Sequence, residues 1–136
     1  MNVTDFKIED YDNMKVKPDS WCDRRLIEAY ALAGTAWTLW ADDKIILCGG
    51  LVPGGWPGVA DVWIAPSIFI DKYPLAAVKY VRGYLDKAIE VYGLWRVQAT
   101  IAAEHCKWIE LMGFQKEGLL RKFSPDKQDR FIYSRV

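Results

Sequence analysis

A long amphipathic helix set between two stretches of strand-like alternation constrains this chain more than any other feature. From Lys72 to Tyr92, the residues Leu75, Val78, Tyr80, Val81, Leu85, Ala88, Ile89 and Tyr92 recur at three- and four-residue steps, with Lys79, Asp86, Lys87 and Glu90 opposite. Pro74 suits the first turn, where its missing N–H costs nothing, and Gly93 closes the helix. Directly afterwards "WRVQATI" alternates Val97, Ala99 and Ile101 against Arg96, Gln98 and Thr100, which reads as a strand with one buried face. Ahead of the helix, "TAWTLWADDKIILCGGLVPGGWPGVADVWIAP" reads as three strands, about 35–41, 44–52 and 58–65, ended by Pro66. The Asp42-Asp43 turn and the Pro53–Gly58 loop split them, so they form an antiparallel meander followed by a βαβ step.

The remaining elements fit around this frame. Val3 to Ile8 is a strand candidate out of strict alternation. With Asp19 or Ser20 as N-cap, "SWCDRRLIEAYALAG" places Leu26, Ile27, Tyr30 and Ala33 at helical spacing and stops at Gly34. A short helix over about 103–112 carries His105, Trp108, Ile109 and Met112 on one stripe and ends at Gly113. Phe114–Phe123 and Asp129–Val136 close the chain as an antiparallel pair around "SPDKQ". The order implies an α/β fold, with a mixed, mainly antiparallel central sheet flanked by helices, in a single domain over residues 1–136.

Composition narrows the function classes. Eighteen basic residues balance eighteen acidic ones, so no global field favours nucleic acid or an anionic membrane. The acidic start and the basic end read as solvated faces, and no apolar run approaches the roughly 18 residues of a membrane span. Cys22, Cys48 and Cys106 lack metal-ligand spacing and follow no signal peptide, so we expect a reduced intracellular compartment and no metal. The glycine-rich "GGLVPGGWPG", Gly49 to Gly58, precedes a strand and lacks the terminal Lys-Ser/Thr of a phosphate loop, which makes it a hairpin connection.

Trp108 to Lys122, "WIELMGFQKEGLLRK", resembles the C-terminal signature of GCN5-related N-acetyltransferases (GNAT), in which a short helix ends in a Leu/Met-Gly-Phe step and a strand with Glu-Gly follows. The motif likeness spans roughly Val59 to Val136. "DKYPLAAVKYVRGYLDKAIEVYG" and "YGLWRVQATIAAEHCKWIELMGF" are also similar to a group of tailed-phage proteins with a degenerate acetyltransferase fold, virion-associated or internal virion proteins among them. The resemblance implies acetyl-CoA as cofactor and direct acetyl transfer to an amine, borne by a small molecule or a protein. It also implies that the fourth and fifth strands, Val59–Ala65 and Trp95–Ile101, splay apart. The backbone of Val62, Trp63, Ile64 and Ala65 would then take the pantetheine arm as a pseudo-strand. The pyrophosphate would lie over the start of the long helix, with Lys72 supplying one contact. The phage likeness implies action in the host cytoplasm or in the virion. Its alternative is a fold kept without catalysis, serving virion assembly or contact with a host protein.

The chain departs from the enzymatic pattern in two places. Active members carry an Arg/Gln-x-x-Gly-x-Gly/Ala loop, whereas Ala65–Ala77 holds no glycine, sets Asp71 against Lys72, and loses a donor at Pro74. The family's Asn and its Tyr general acid fall on Ala102 and Ile109, which cannot do that work.

Four side chains read in two ways. Asp61 is the base for the amine, or a strand carboxylate paired with a basic neighbour. His105, the only histidine, is an acid or base near the cofactor thiol, or a helix-start residue bonded to backbone. Cys106 is an activated thiol or a small buried one. Trp56 is an exposed contact residue, or is covered by its own loop.

Overall fold

The computed structural model describes every residue of the chain except Asp19 and Trp21. Its strands are β1 (Asn2–Asp5), β2 (Thr35–Ala41), β3 (Lys44–Pro53), β4 (Val59–Pro66), β5 (Arg96–Ile101), β6 (Gln115–Leu120) and β7 (Arg130–Arg135). The helices are α1 (Ile8–Asn13), α2 (Arg24–Ala33), α3 (Pro74–Tyr92) and α4 (Cys106–Leu111). The strands follow the order β1-β2-β3-β4-β5-β7-β6. β4 and β5 run parallel, and the pairs β1–β2, β2–β3, β5–β7 and β6–β7 run antiparallel, so the expected mixed, mainly antiparallel sheet is present. The chain divides into two compact units, Met1–Pro53 with Val62–Ala77 and Gly54–Asp61 with Val78–Val136.

In the first unit a core of Met14, Ile27, Ile45, Cys48, Trp63 and Ala65 forms beneath the two short helices. Trp63 is its centre: Phe6 meets the indole edge-on at 5.9 Å and Tyr30 lies 6.1 Å from it. The expected strand over 3–8 is instead β1 followed by α1. The Asp10 carboxylate accepts the Lys7 N–H at the helix start and the Thr38 hydroxyl, and these bonds fix a turn that periodicity over so few residues does not reveal. The cap of α2 is also corrected. Asp23 accepts the N–H groups of Arg25 and Leu26, while Ser20 lies outside the helix with its own N–H on the Lys17 carbonyl, and Asp19 falls outside the described residues. Gly34 ends α2 as expected, where a Cβ would stand 1.9 Å from the Leu51 carbonyl oxygen.

In the second unit α3 buries Val81, Leu85 and Ala88. Tyr80 and Tyr92, grouped with them by spacing, are exposed, as is Leu75 on the first turn, because the buried stripe is centred on Val81 and Leu85 and is narrower than the apolar count suggests. Trp95 precedes β5 rather than opening it. Its indole lies across Gly58, where a Cβ would meet the ring at 2.0 Å, and the Trp95 main-chain N–H donates to the Gly58 carbonyl. Trp56 is 73% exposed, so the loop does not cover it. The short helix is a 3-10 turn over Ala103–His105 continued by α4, and Gly113 follows with φ +88°.

Candidate functional site

The register of the second unit sets a polar row across three strands. Asp61 on β4 pairs with Gln98 on β5, and Gln98 pairs with Ser134 on β7, so their side chains share one sheet face. The Gln98 amide donates to Asp61 Oδ1 at 2.8 Å and accepts from Arg96 Nε at 2.7 Å. Arg96 then grips both oxygens of Glu117 on β6, at 2.9 and 2.6 Å, and the Ser134 hydroxyl donates to the same carboxylate. The Arg96 bond, helped by that of Ser134, lowers the Glu117 carboxyl from its usual 4.5 to about 2. Glu117 in turn raises Arg96. A guanidinium locked at one end fixes which way the amide points, and so turns an N–H toward Asp61. The partner of Asp61 is therefore this amide and not the basic neighbour that the sequence suggested.

Tyr133 precedes Ser134 in β7 and projects from the opposite face. Its buried hydroxyl donates to Glu110 Oε2 at 2.8 Å, and burial, with Cys106 and Glu110 alongside, raises the phenol above its ordinary value. The Cys106 thiol donates to the Ala102 carbonyl at 3.6 Å, which fits the half-buried structural thiol. His105 is half-buried at the start of α4, its N–H bonded to Ala102 and its Nε2 buried without a hydrogen-bond partner. No hydrogen bond joins His105 to Asp61, so the two candidate proton carriers stand apart from each other's networks. The sequence reading does not single out Gln98, Arg96, Glu117 or Ser134. The signal for two of them was present, since Arg96 and Gln98 occupy alternate positions on the polar face of β5.

In the first unit, β4 continues past the last β5 pairing. The parallel ladder covers Val59, Ala60 and Asp61, after which Val62–Ala65 have β3 along one side and, among the described residues, no strand along the other. Gly49 permits the close approach on the β3 side, where a Cβ would stand 3.0 Å from the Trp63 carbonyl oxygen. Val62, Trp63 and Ala65 are buried and Ile64 half-buried, so what this segment offers a ligand is its backbone edge.

The turn after β4 is closed on itself. The N–H of Ser67 goes to Ile46, that of Ile68 to Lys15, that of Phe69 to the Ser67 hydroxyl and that of Ile70 to the Ser67 carbonyl. Those of Lys72 and Tyr73 go to Phe69 and Ile70, and Pro74 has none. Asp71 does not oppose Lys72 as expected, because it pairs with Lys17 at 3.0 Å; Lys72 instead stands 5.8 Å from the Phe69 ring, which Lys44 also covers. The edge of Val62–Ala65 and the turn after it thus differ in kind, the one a main-chain edge and the other a turn whose N–H donors, that of Asp71 apart, are already used. Among the described residues no cluster could hold a metal ion, and no helix is long and apolar enough to cross a membrane.

No family model matches the sequence. No curated protein matches it either. Solved structures do. A chimera of spermidine N-acetyltransferase SpeG from Vibrio cholerae and hSSAT is 16% identical, with a TM-score of 0.74 over 99% of this chain and 94% of that one. The IAA acetyltransferase from Bacillus cereus is 12% identical, with a TM-score of 0.75 over 98% and 97%. A GNAT family acetyltransferase from Elizabethkingia anophelis, solved with acetyl-CoA bound, is 14% identical, with a TM-score of 0.73 over 98% and 96%. At such identities the likeness establishes the fold, and it is the GNAT acetyltransferase fold.

Proposed function

We propose that the protein is an N-acetyltransferase that moves an acetyl group from a coenzyme A thioester to an amine. The observation that carries this reading is the Asp61 carboxylate, set in one polar row with Gln98 and Ser134 and held by the Gln98 amide at 2.8 Å. When bound, acetyl-CoA supplies an acetyl group activated as a thioester. Val62–Ala65 hold its arm through main-chain hydrogen bonds. Asp61 takes a proton from the acceptor's ammonium group and frees the lone pair that forms the C–N bond as the C–S bond breaks. Gln98 holds that carboxylate in place. His105, the only histidine, gives a proton to the departing thiolate and takes back the surplus proton from the newly acylated nitrogen. The acceptor is a small-molecule or protein amine, and a phage setting, with action in the host cytoplasm or the virion, follows from the resemblance alone.

The test is thiol release from acetyl-CoA in the presence of a panel of primary amines and peptide N-termini. Asp61→Asn should lower kcat by about 100-fold or more with little change in KM for the thioester. Unchanged turnover in that variant would remove Asp61 as base. Absence of release and of thioester binding would leave the non-catalytic reading, in which the fold serves a virion or host contact.

A further inference from the structure

We propose that this chain recognises its donor through the pantetheine arm and not through the nucleotide, so that its donor class is an acyl-pantetheine thioester whether or not a nucleotide is attached. The inference rests on the thioester-binding reading above.

Pyrophosphate recognition of the kind the fold supports needs several main-chain N–H groups free and convergent. Between Ser67 and Pro74, among the described residues, only the Asp71 N–H has no partner, and the Asp71 side chain puts a carboxylate beside it. Opening the turn is costly, because Ser67 is completely buried and its hydroxyl both donates to the Ile45 carbonyl at 2.6 Å and accepts the Phe69 N–H at 3.1 Å. Ile68 is also tied to Lys15, and Val16 bridges to Ser67. What remains for an anion is the first turn of α3 at Leu75 and Ala76, together with Lys72 and Lys44, both directed over Phe69. Exposed lysines without a main-chain cradle attract phosphate weakly and without fixed geometry. Among the described residues no strand pairs with Val62–Ala65 on the side away from β3, and the first carbonyl already taken is that of Pro66, which accepts the Lys17 N–H.

The experiment is calorimetric titration of the purified chain with coenzyme A, with pantetheine, and with the nucleotide half of coenzyme A alone, followed by comparison of acetyl-CoA with S-acetylpantetheine as donors. Coenzyme A and pantetheine should bind within about threefold of each other, with kcat/KM for the two donors equally close, and the nucleotide half should not bind. Lys72→Ala and Lys44→Ala should each shift binding of coenzyme A by less than about threefold, a change that screened surface charges would give. Binding of coenzyme A more than about 100-fold tighter than pantetheine, or competition by the nucleotide half, overturns the inference and leaves the acetyltransferase reading intact. Failure of both coenzyme A and pantetheine to bind overturns both.

Discussion

Replacing Gln98 with Leu tests whether the row from Glu117 to Asp61 acts as one unit. The substitution keeps most of the volume and removes two hydrogen bonds, each to a charged group: the 2.7 Å bond from Arg96 Nε and the 2.8 Å bond to Asp61 Oδ1. Such bonds are worth about 1.5–3 kcal/mol each where water is excluded. Here Gln98, Arg96 and Asp61 are all half-buried, and Arg96 keeps its grip on Glu117, so water replaces part of the loss. We expect a net destabilisation of about 1.5 kcal/mol. In a double-mutant cycle with Asp61→Ala, roughly 1 kcal/mol of this should appear as coupling, since either single change already breaks the shared bond. Urea unfolding of wild type, both single variants and the double variant measures it, with Gln98→Asn as a shorter amide control. A coupling within about 0.3 kcal/mol of zero, the ordinary error of additivity, would refute the claim that Gln98 holds Asp61 in place.

Glu117, depressed to about 2 by Arg96 and Ser134, adds stability that is present above the ordinary carboxylate value of 4.5 and is lost as pH falls from there toward 2. Acid unfolding curves should therefore be shallower in Glu117→Gln over that window. Tyr133 is displaced the other way, mainly by burial, so its share of stability is full below its ordinary pKa of 10 and declines as pH rises beyond it. Tyr133→Phe should flatten that alkaline decline in thermal melts. Burial pushes the thiols of Cys22 and Cys48 up to about 11 and about 12, so a thiol reagent at pH 8 should label neither in the native protein and both in urea. Gly50→Ala would place a Cβ 2.1 Å from the Thr35 carbonyl oxygen, a main-chain atom that cannot swing aside, and should cost about 2 kcal/mol or more in chemical unfolding.

The parts of the fold that were legible in the sequence are those whose periodicity runs long enough to average out. β2, β3 and β4 fall where the Trp, Leu, Ile and Val runs put them, and α3 is framed by Pro74 and Gly93 because a helix of that length carries many repeats of its pattern. α1 was not legible, because one turn of helix next to one short exposed strand has no period to detect, and its start depends on Asp10 receiving Lys7 and Thr38, the latter distant in sequence. The same limit applies to the site. Asp61 stands out as a carboxylate in an apolar strand, yet its partner is fixed by the β4–β5 register, which places Gln98 opposite it and Ser134 beyond. No local feature of "WRVQATI" announces that pairing. The absence of glycine from Ala65–Ala77 was legible, but its consequence was not. Pairing of Asp71 with Lys17 and burial of Ser67 are contacts between segments far apart in the chain.

Those contacts also decide whether the turn after β4 is an eroded phosphate loop or a differently built one. Erosion would leave slack: unpaired donors, exposed polar atoms and a tolerance for substitution. The turn has the opposite character, with Ser67 fully buried and bonded at its hydroxyl, its N–H and its carbonyl. Ser67→Ala would strand the Ile45 carbonyl and the Phe69 N–H together, and each buried orphan costs about 1–3 kcal/mol less whatever water recovers. We therefore expect a loss of about 2 kcal/mol in urea unfolding, with faster hydrogen exchange at Phe69, Ile70, Lys72 and Tyr73 than elsewhere in the same unit. If Ser67→Ala were instead neutral and exchange unchanged, the turn would be loose enough to reopen around a pyrophosphate. The case against nucleotide recognition would then fall on structural grounds before any ligand was added.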